Sequence, residues 1–151
     1  MTGASAGLLD FTIYGVAGRK SIQRMRFVAG TQVPSDRLGG LWWGGAAQNG
    51  WGLTINQQDE TLFVVWYTYD QDGSVAWYVM SGGTWTSADT YSGALYRTRG
   101  SAWIGVEYDK SRLEVTRVGT MTLRFSGSDA ADLSYSVDGV SGSASIVRQQ
   151  F

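Results

Sequence analysis

The chain has 151 residues, no cysteine, no histidine, one proline, 21 glycines and 20 aromatic residues, with a formal net charge of −1. Without cysteine there is neither a disulfide nor a thiolate nucleophile, and without histidine the commonest general base and transition-metal ligand is missing, so most enzyme classes have nothing to work with and a non-enzyme is expected. No apolar run approaches the roughly 20 residues of a membrane-spanning helix.

Taken in chain order, residues 1–7 are short and polar, and read as a tag or linker and not as a signal peptide. Residues 8–27 read as a β-hairpin, and the same element recurs 124 positions later. Leu9–Phe27 lies over Leu133–Phe151 with eight of 19 pairs identical, where roughly one would match by chance. In the second copy Leu133, Tyr135 and Val137 alternate with serines ahead of Asp138-Gly139, a two-residue type I′ turn signal. That turn predicts the register: Val137 opposite Val140, Tyr135 opposite Gly142, Leu133 opposite Ala144. In the first copy it sets Phe11 opposite Gly18, so each hairpin should carry an aromatic ring over a cross-strand glycine. The register also turns Arg24 and Arg148 inward. A buried guanidinium needs partners, and the plain expectation is a plug whose head reaches carbonyls at the end of the sheet.

Residues 28–39 hold the proline and several small polar residues and read as a linker. Residues 40–151 read as a β-barrel domain. Gly39–Gly52 has too many glycines for a plain strand and fits two short strands around a bulge or loop; with Trp42–Gln58 counted as one bent strand, the others are expected at Thr61–Tyr69, Ser74–Ser81, Tyr91–Thr98, Ala102–Tyr108, Leu113–Ser126 as a second bent strand, Leu133–Val137 and Val140–Gln150. Eight strands joined by short turns suit an all-β, antiparallel up-and-down barrel, or a barrel-like sandwich, with the extra N-terminal hairpin beside it. The strands at 61–69 and 74–81 carry apolar residues on both faces, which implies a covered outer face or an aromatic-lined interior, and the first hairpin is a natural cover. Charge agrees with such docking: residues 1–40 carry five Lys/Arg against two Asp, and residues 41–151 carry seven against eleven acids. The basic N-terminal segment lacks interleaved aromatics, so nucleic acid is not an expected partner.

Gly40-Leu-Trp-Trp43, Gly50-Trp-Gly52, Trp66-Tyr-Thr-Tyr-Asp70, Gly73, Trp77-Tyr78, Met80-Ser81, Tyr91–Thr98 and Val137–Phe151 together resemble an uncharacterised proteobacterial family of tandem-repeat β domains, often exported. The resemblance covers nearly all of residues 40–151 and implies no activity and no site residues. Gly40-Leu-Trp42 near the first barrel strand, with Arg148 on the last, has a weaker resemblance to lipocalin- and avidin-like barrels, which implies a closed barrel.

Asp70-Gln-Asp72-Gly73 has the start of a calcium loop without its remaining ligands, and a hairpin turn explains it. No pair of acids is singled out for glycoside chemistry. The leading expectation is therefore a non-enzymatic binding module without a cofactor, taking a small apolar, planar or sugar-like ligand on Trp42, Trp66, Tyr67, Trp77, Tyr78 and Arg148, in a pocket lined by at least two of Trp42, Trp66 and Trp77. A structural unit that forms homo-oligomers through residues 8–27 is the alternative, and an enzyme using carboxylates comes last.

Overall fold

Strand-forming aromatic and β-branched residues, broken by glycine turns, assemble here into two antiparallel sheets; the computed structural model describes residues 5–29 and 35–150. β1 (Ala6–Ile13) and β2 (Val16–Gln23) form a separate hairpin. The larger sheet comprises β3 (Ser35–Trp43), β4 (Gly52–Gln58), β5 (Thr61–Tyr69), β6 (Val75–Met80), β7 (Thr84–Trp85), β8 (Thr90–Arg99), β9 (Glu114–Phe125), β10 (Ala130–Val137) and β11 (Val140–Arg148). Neighbours in sequence are neighbours in space, β11 returns to β3, and β6 meets β8, so eight strands close an up-and-down barrel. The two-residue β7 lies outside that ring, paired with the first half of β8.

The all-β barrel of eight strands is as expected, but two of the strands differ. Trp42–Gln58, counted as one bent strand, is two strands around a loop, as its glycines suggest: a 3₁₀ turn at Ala46–Gln48, flanked by Gly45 (φ 79°) and Gly50 (φ 114°), separates β3 from β4. Ala102–Tyr108 is not a strand but part of the loop between β8 and β9, where Gly105 has φ 74°. One strand gained offsets one lost. β1 starts inside the segment read as a tag, and β3 starts inside the one read as a linker. Leu113–Ser126 is indeed one irregular strand, β9, whose register against β8 shifts between Leu95 and Tyr96.

The barrel interior is a packed core. Trp42, Leu53, Ile55, Leu62, Val64, Trp66, Tyr78, Met80, Tyr91, Leu95, Met121, Leu123, Leu133 and Ile146 all point into it and are buried. Tyr91 Oη accepts a hydrogen bond from the Leu62 amide at 3.2 Å, and Trp42 Nε1 donates to the Leu38 carbonyl at 3.0 Å, so these large side chains are satisfied as well as packed.

Both hairpins have the expected register, Phe11 over Gly18 and Tyr135 over Gly142. Tyr14-Gly15 and Asp138-Gly139 all have positive φ, which a type I′ turn requires. The first hairpin does not cover β5 and β6, contrary to expectation. Phe11 stacks on Trp103 of the β8–β9 loop with ring centroids 5.1 Å apart, and Lys20 Nζ lies 5.2 Å from the Trp103 ring. Just after the hairpin, Gln58 holds the chain: its Oε1 accepts from the Phe27 and Val28 amides, its Nε2 donates to the Met25 carbonyl, and Phe27 meets Phe63. Arg24, expected inward, is exposed and lies just past the end of β2. Its amide donates to the Ser5 carbonyl.

A Cβ on Gly142 would overlap the Tyr135 ring. Gly142→Ala should therefore lower barrel stability by about 1–3 kcal/mol, the usual cost of overpacking. Urea unfolding measures it, and an unchanged midpoint would show that the ring-over-glycine contact is not tight.

Candidate functional site

In an up-and-down barrel the turns alternate between the two ends. The Asp59-Glu60 turn, residues 81–89 and residues 126–129 share one end with Leu38; the turns at 70–74 and 138–139 and the long 100–113 loop share the other. The first end is capped by aromatics, over which Leu38, Trp85, Asp89 and Phe125 line a depression of about 260 Å³. Trp42 packs edge-on to Phe125 at 5.6 Å, Trp85 packs against both Phe125 and Tyr91, and Trp85 Nε1 donates to the Glu60 carbonyl at 2.8 Å.

The second end is an open mouth. Trp66, Tyr78 and Tyr135 line a recess of about 130 Å³ with Val137, Asp70 and Asp138 at its rim. Trp66 sits 5.4 Å from Tyr78 and 4.7 Å from Tyr135 between ring centroids, so three rings from β5, β6 and β10 meet there. Trp66 is 5% exposed, and its Nε1 is the buried side-chain polar atom, among the described residues, that no hydrogen bond satisfies. Such a donor is costly to leave unpaired in a folded protein.

Above the rings Arg97 spans the mouth. It follows Tyr91 and Leu95 on the inward phase of β8. Its Nη2 donates to Tyr78 Oη at 2.9 Å and pairs with Asp70 Oδ2 at 3.4 Å and Asp138 Oδ2 at 3.3 Å, and the guanidinium carbon stands 5.3 Å from the Tyr78 ring centre. The hydrogen bond to Tyr78, and then the carboxylates of Asp138 and Asp70, raise the guanidinium above its ordinary pKa against the opposing effect of partial burial. One cation between two carboxylates leaves the rim with a net negative charge.

The Asp70–Gly73 segment is the β5–β6 turn: Gly73 N donates to the Asp70 carbonyl, Asp70 N to the Ser74 carbonyl, and Gly73 has φ 80°. Asp72 Oδ1 accepts from both the Ser74 hydroxyl and amide, which holds its carboxyl below the usual range. No group of three or more acidic residues able to hold a metal ion occurs among the described residues.

Of the residues singled out from the sequence, the structure brings Trp66 and Tyr78 together and places the other four elsewhere. Trp42, Leu53, Trp66 and Tyr78 form one cross-strand row. Strands tilt in a closed barrel, so such a row climbs along the axis and Trp42 ends beside Phe125, away from the mouth. Tyr67 and Trp77 are cross-strand neighbours on the outer wall, each about half exposed at 48% and 51%. Tyr67 borders a groove of about 310 Å³ whose lining also includes Trp42, Trp43 and Trp51, so two of the expected residues, Trp42 and Tyr67, meet there and not at the mouth. Arg148 lies at the β11–β3 seam, its guanidinium over Gly40 and its Nη1 donating to the Arg37 carbonyl at 3.5 Å, which is the plug geometry. The recess thus takes Trp66 but neither Trp42 nor Trp77. The residues that sequence reasoning missed are Arg97, Asp138 and Tyr135. Their signal was the inward phase 91, 95, 97 combined with the two turn aspartates.

Compared with known proteins, the chain matches no family model, no curated protein and no solved structure. No helix among the described residues is long and apolar enough to cross a membrane.

The Arg97 side chain is 43% exposed, so its ion pairs contribute little in salt, and the bond to Tyr78 is its main contribution. Arg97→Met should cost about 1 kcal/mol of stability. Denaturant melts at low and high salt check this: a deficit that survives high salt marks the Tyr78 bond, and one that vanishes assigns the effect to the ion pairs.

Proposed function

We propose that this protein is a non-enzymatic binding module that takes a small neutral ligand, planar or sugar-like, at the mouth of its barrel. The unpaired Trp66 indole N–H carries this reading: it is a buried donor that an acceptor oxygen of a ligand would satisfy, beside Tyr78 and Tyr135 faces on which a ring can stack. The packed core leaves no room for a ligand deeper in the barrel, so the wider set of aromatics expected to bind narrows to those at the mouth. Net negative charge at the rim disfavours anions, while the Asp70 and Asp138 carboxylates suit hydroxyl donors. The resemblance to lipocalin- and avidin-like barrels implies a closed barrel of this kind, and it belongs with the bacterial tandem-repeat resemblance to the same reading.

A thermal-shift screen of neutral monosaccharides and small planar heterocycles tests it. A ligand present at a hundred times its Kd should add about 2.7 kcal/mol of stability. Trp66→Phe, which keeps a ring and removes the donor, should lose that shift, and the outer-wall variant Trp77→Ala should keep it. No shift across the screen, or equal shifts in wild type and Trp66→Phe, would refute binding at this mouth.

A further inference from the structure

The two hairpins share sequence and register but not surroundings. Leu133, Val137 and Ile146 of β10–β11 are 1%, 8% and 1% exposed, while their counterparts Leu9, Ile13 and Ile22 of β1–β2 are 40%, 37% and 50% exposed. β10–β11 is flanked by β9 on one side and β3 on the other; β1–β2 pairs with no further strand among the described residues. The Trp103 loop meets part of its face, at Phe11, Val16 and Lys20, and leaves Leu9, Ile13 and Ile22 exposed. An isolated two-stranded hairpin with one apolar face is marginal, and that face is not large enough to be a core of its own.

We infer that β1–β2 is a barrel-closing hairpin offered to a second copy of this chain, in which it fills the place of β10–β11 between β9 and β3. The fit is residue by residue. Leu9, Phe11, Ile13 and Ile22 supply the inward side chains of Leu133, Tyr135, Val137 and Ile146. Arg24 follows Ile22 as Arg148 follows Ile146, and would reach the same carbonyl over Gly40. Charge agrees: the segment through residue 40 is basic where the remainder is acidic. β11 holds β3 through only Val147↔Trp43 and Arg148↔Trp42, while β10 holds β9 through seven pairs, so the place opens to a second copy where the chain's own hairpin is destabilised. One mismatch is built in. Lys20 occupies the position of the half-buried Ala144, where its ammonium must reach the rim to stay solvated.

Two variants of the full chain test this independently of any ligand. In the first, residues 133–151 are replaced by the sequence of residues 9–27 with alanine at the Lys20 counterpart. It should unfold in one cooperative transition with the near-UV circular dichroism of a packed aromatic core, and keeping the lysine should lower its Tm by several degrees. A chimera without a cooperative transition overturns the inference, because the hairpin then does not fit the frame. In the second, Leu133→Asp and Ile146→Asp disable the chain's own closing hairpin. Sedimentation should then show folded oligomers, as N-terminal hairpins close barrels in trans, and adding Leu9→Asp and Ile22→Asp should abolish them. With the chimera folded, a Leu133→Asp/Ile146→Asp chain that stays monomeric overturns docking in trans.

Discussion

Closure of the ring at two thin seams is the constraint on which the rest of this structure depends. An open eight-stranded sheet would leave two edges of unpaired amides and carbonyls. Here they are joined by one residue pair between β6 and β8, Val79↔Tyr96, and two between β11 and β3. Backbone must approach backbone closely at the first seam. A Cβ on Gly83 would meet the Ser92 carbonyl, and one on Gly93 would meet the Gly82 carbonyl and the Met80 side chain. At the second seam Arg148 lies over Gly40, and Gln149 N donates to the Leu41 carbonyl at 2.7 Å. Gly40, Gly83 and Gly93 therefore mark places where the barrel shuts. Aromatics then brace the ring across its interior, Trp42 of β3 against Phe125 of β9 and Trp66 of β5 against Tyr135 of β10.

How much of the fold could be read from sequence follows from which rules are local. Hairpin register is local: a period of two plus a two-residue turn fixes every pair, and both hairpins comply. The residues 102–108 show where the local rule fails. Ala102, Ile104, Val106 and Tyr108 alternate as a strand should, yet they pair with no strand among the described residues. Ser101 Oγ accepts from the Asp109 amide, and Asp109 Oδ1 caps the Lys110–Arg112 turn through Ser111, so the segment is tied down as a loop. Likewise the bend in Trp42–Gln58 is legible from its glycines, but whether it is a bulge or a reversal depends on where β5 lies, which is not local information.

The site was half legible for a related reason. β5 and β6 carry aromatics on both faces, so periodicity puts Trp66 with Leu62 and Val64, and Tyr67 with Phe63 and Val65, without saying which set faces the core. The ring as a whole decides it. Leu62 and Val64 are fully buried, which commits Trp66 and Tyr78 to the interior and Tyr67 and Trp77 to the wall. Trp42 illustrates a second non-local effect, since tilt carries it to the closed end although it shares a cross-strand row with Trp66. Arg97 gave no composition signal at all. It becomes conspicuous only when two turns separated by 68 positions, at Asp70 and Asp138, arrive on either side of it.

The mouth and the closing hairpin are physically one arrangement. β10–β11 contributes Tyr135, Val137 and Asp138, so whichever hairpin fills that place also furnishes one wall of the recess. The N-terminal hairpin would bring Phe11, Ile13 and Tyr14 to the same positions: a ring without its hydroxyl, a larger aliphatic side chain, and a neutral turn residue in place of the second carboxylate. Arg97 would then keep Asp70 alone, and the net negative rim would become neutral. Exchange of the hairpin would thus alter the charge and polarity that a ligand meets while leaving Trp66, Tyr78 and the core residues of the other six strands unchanged. The duplicated element therefore matters beyond assembly, because it carries the part of the mouth that differs between the two copies.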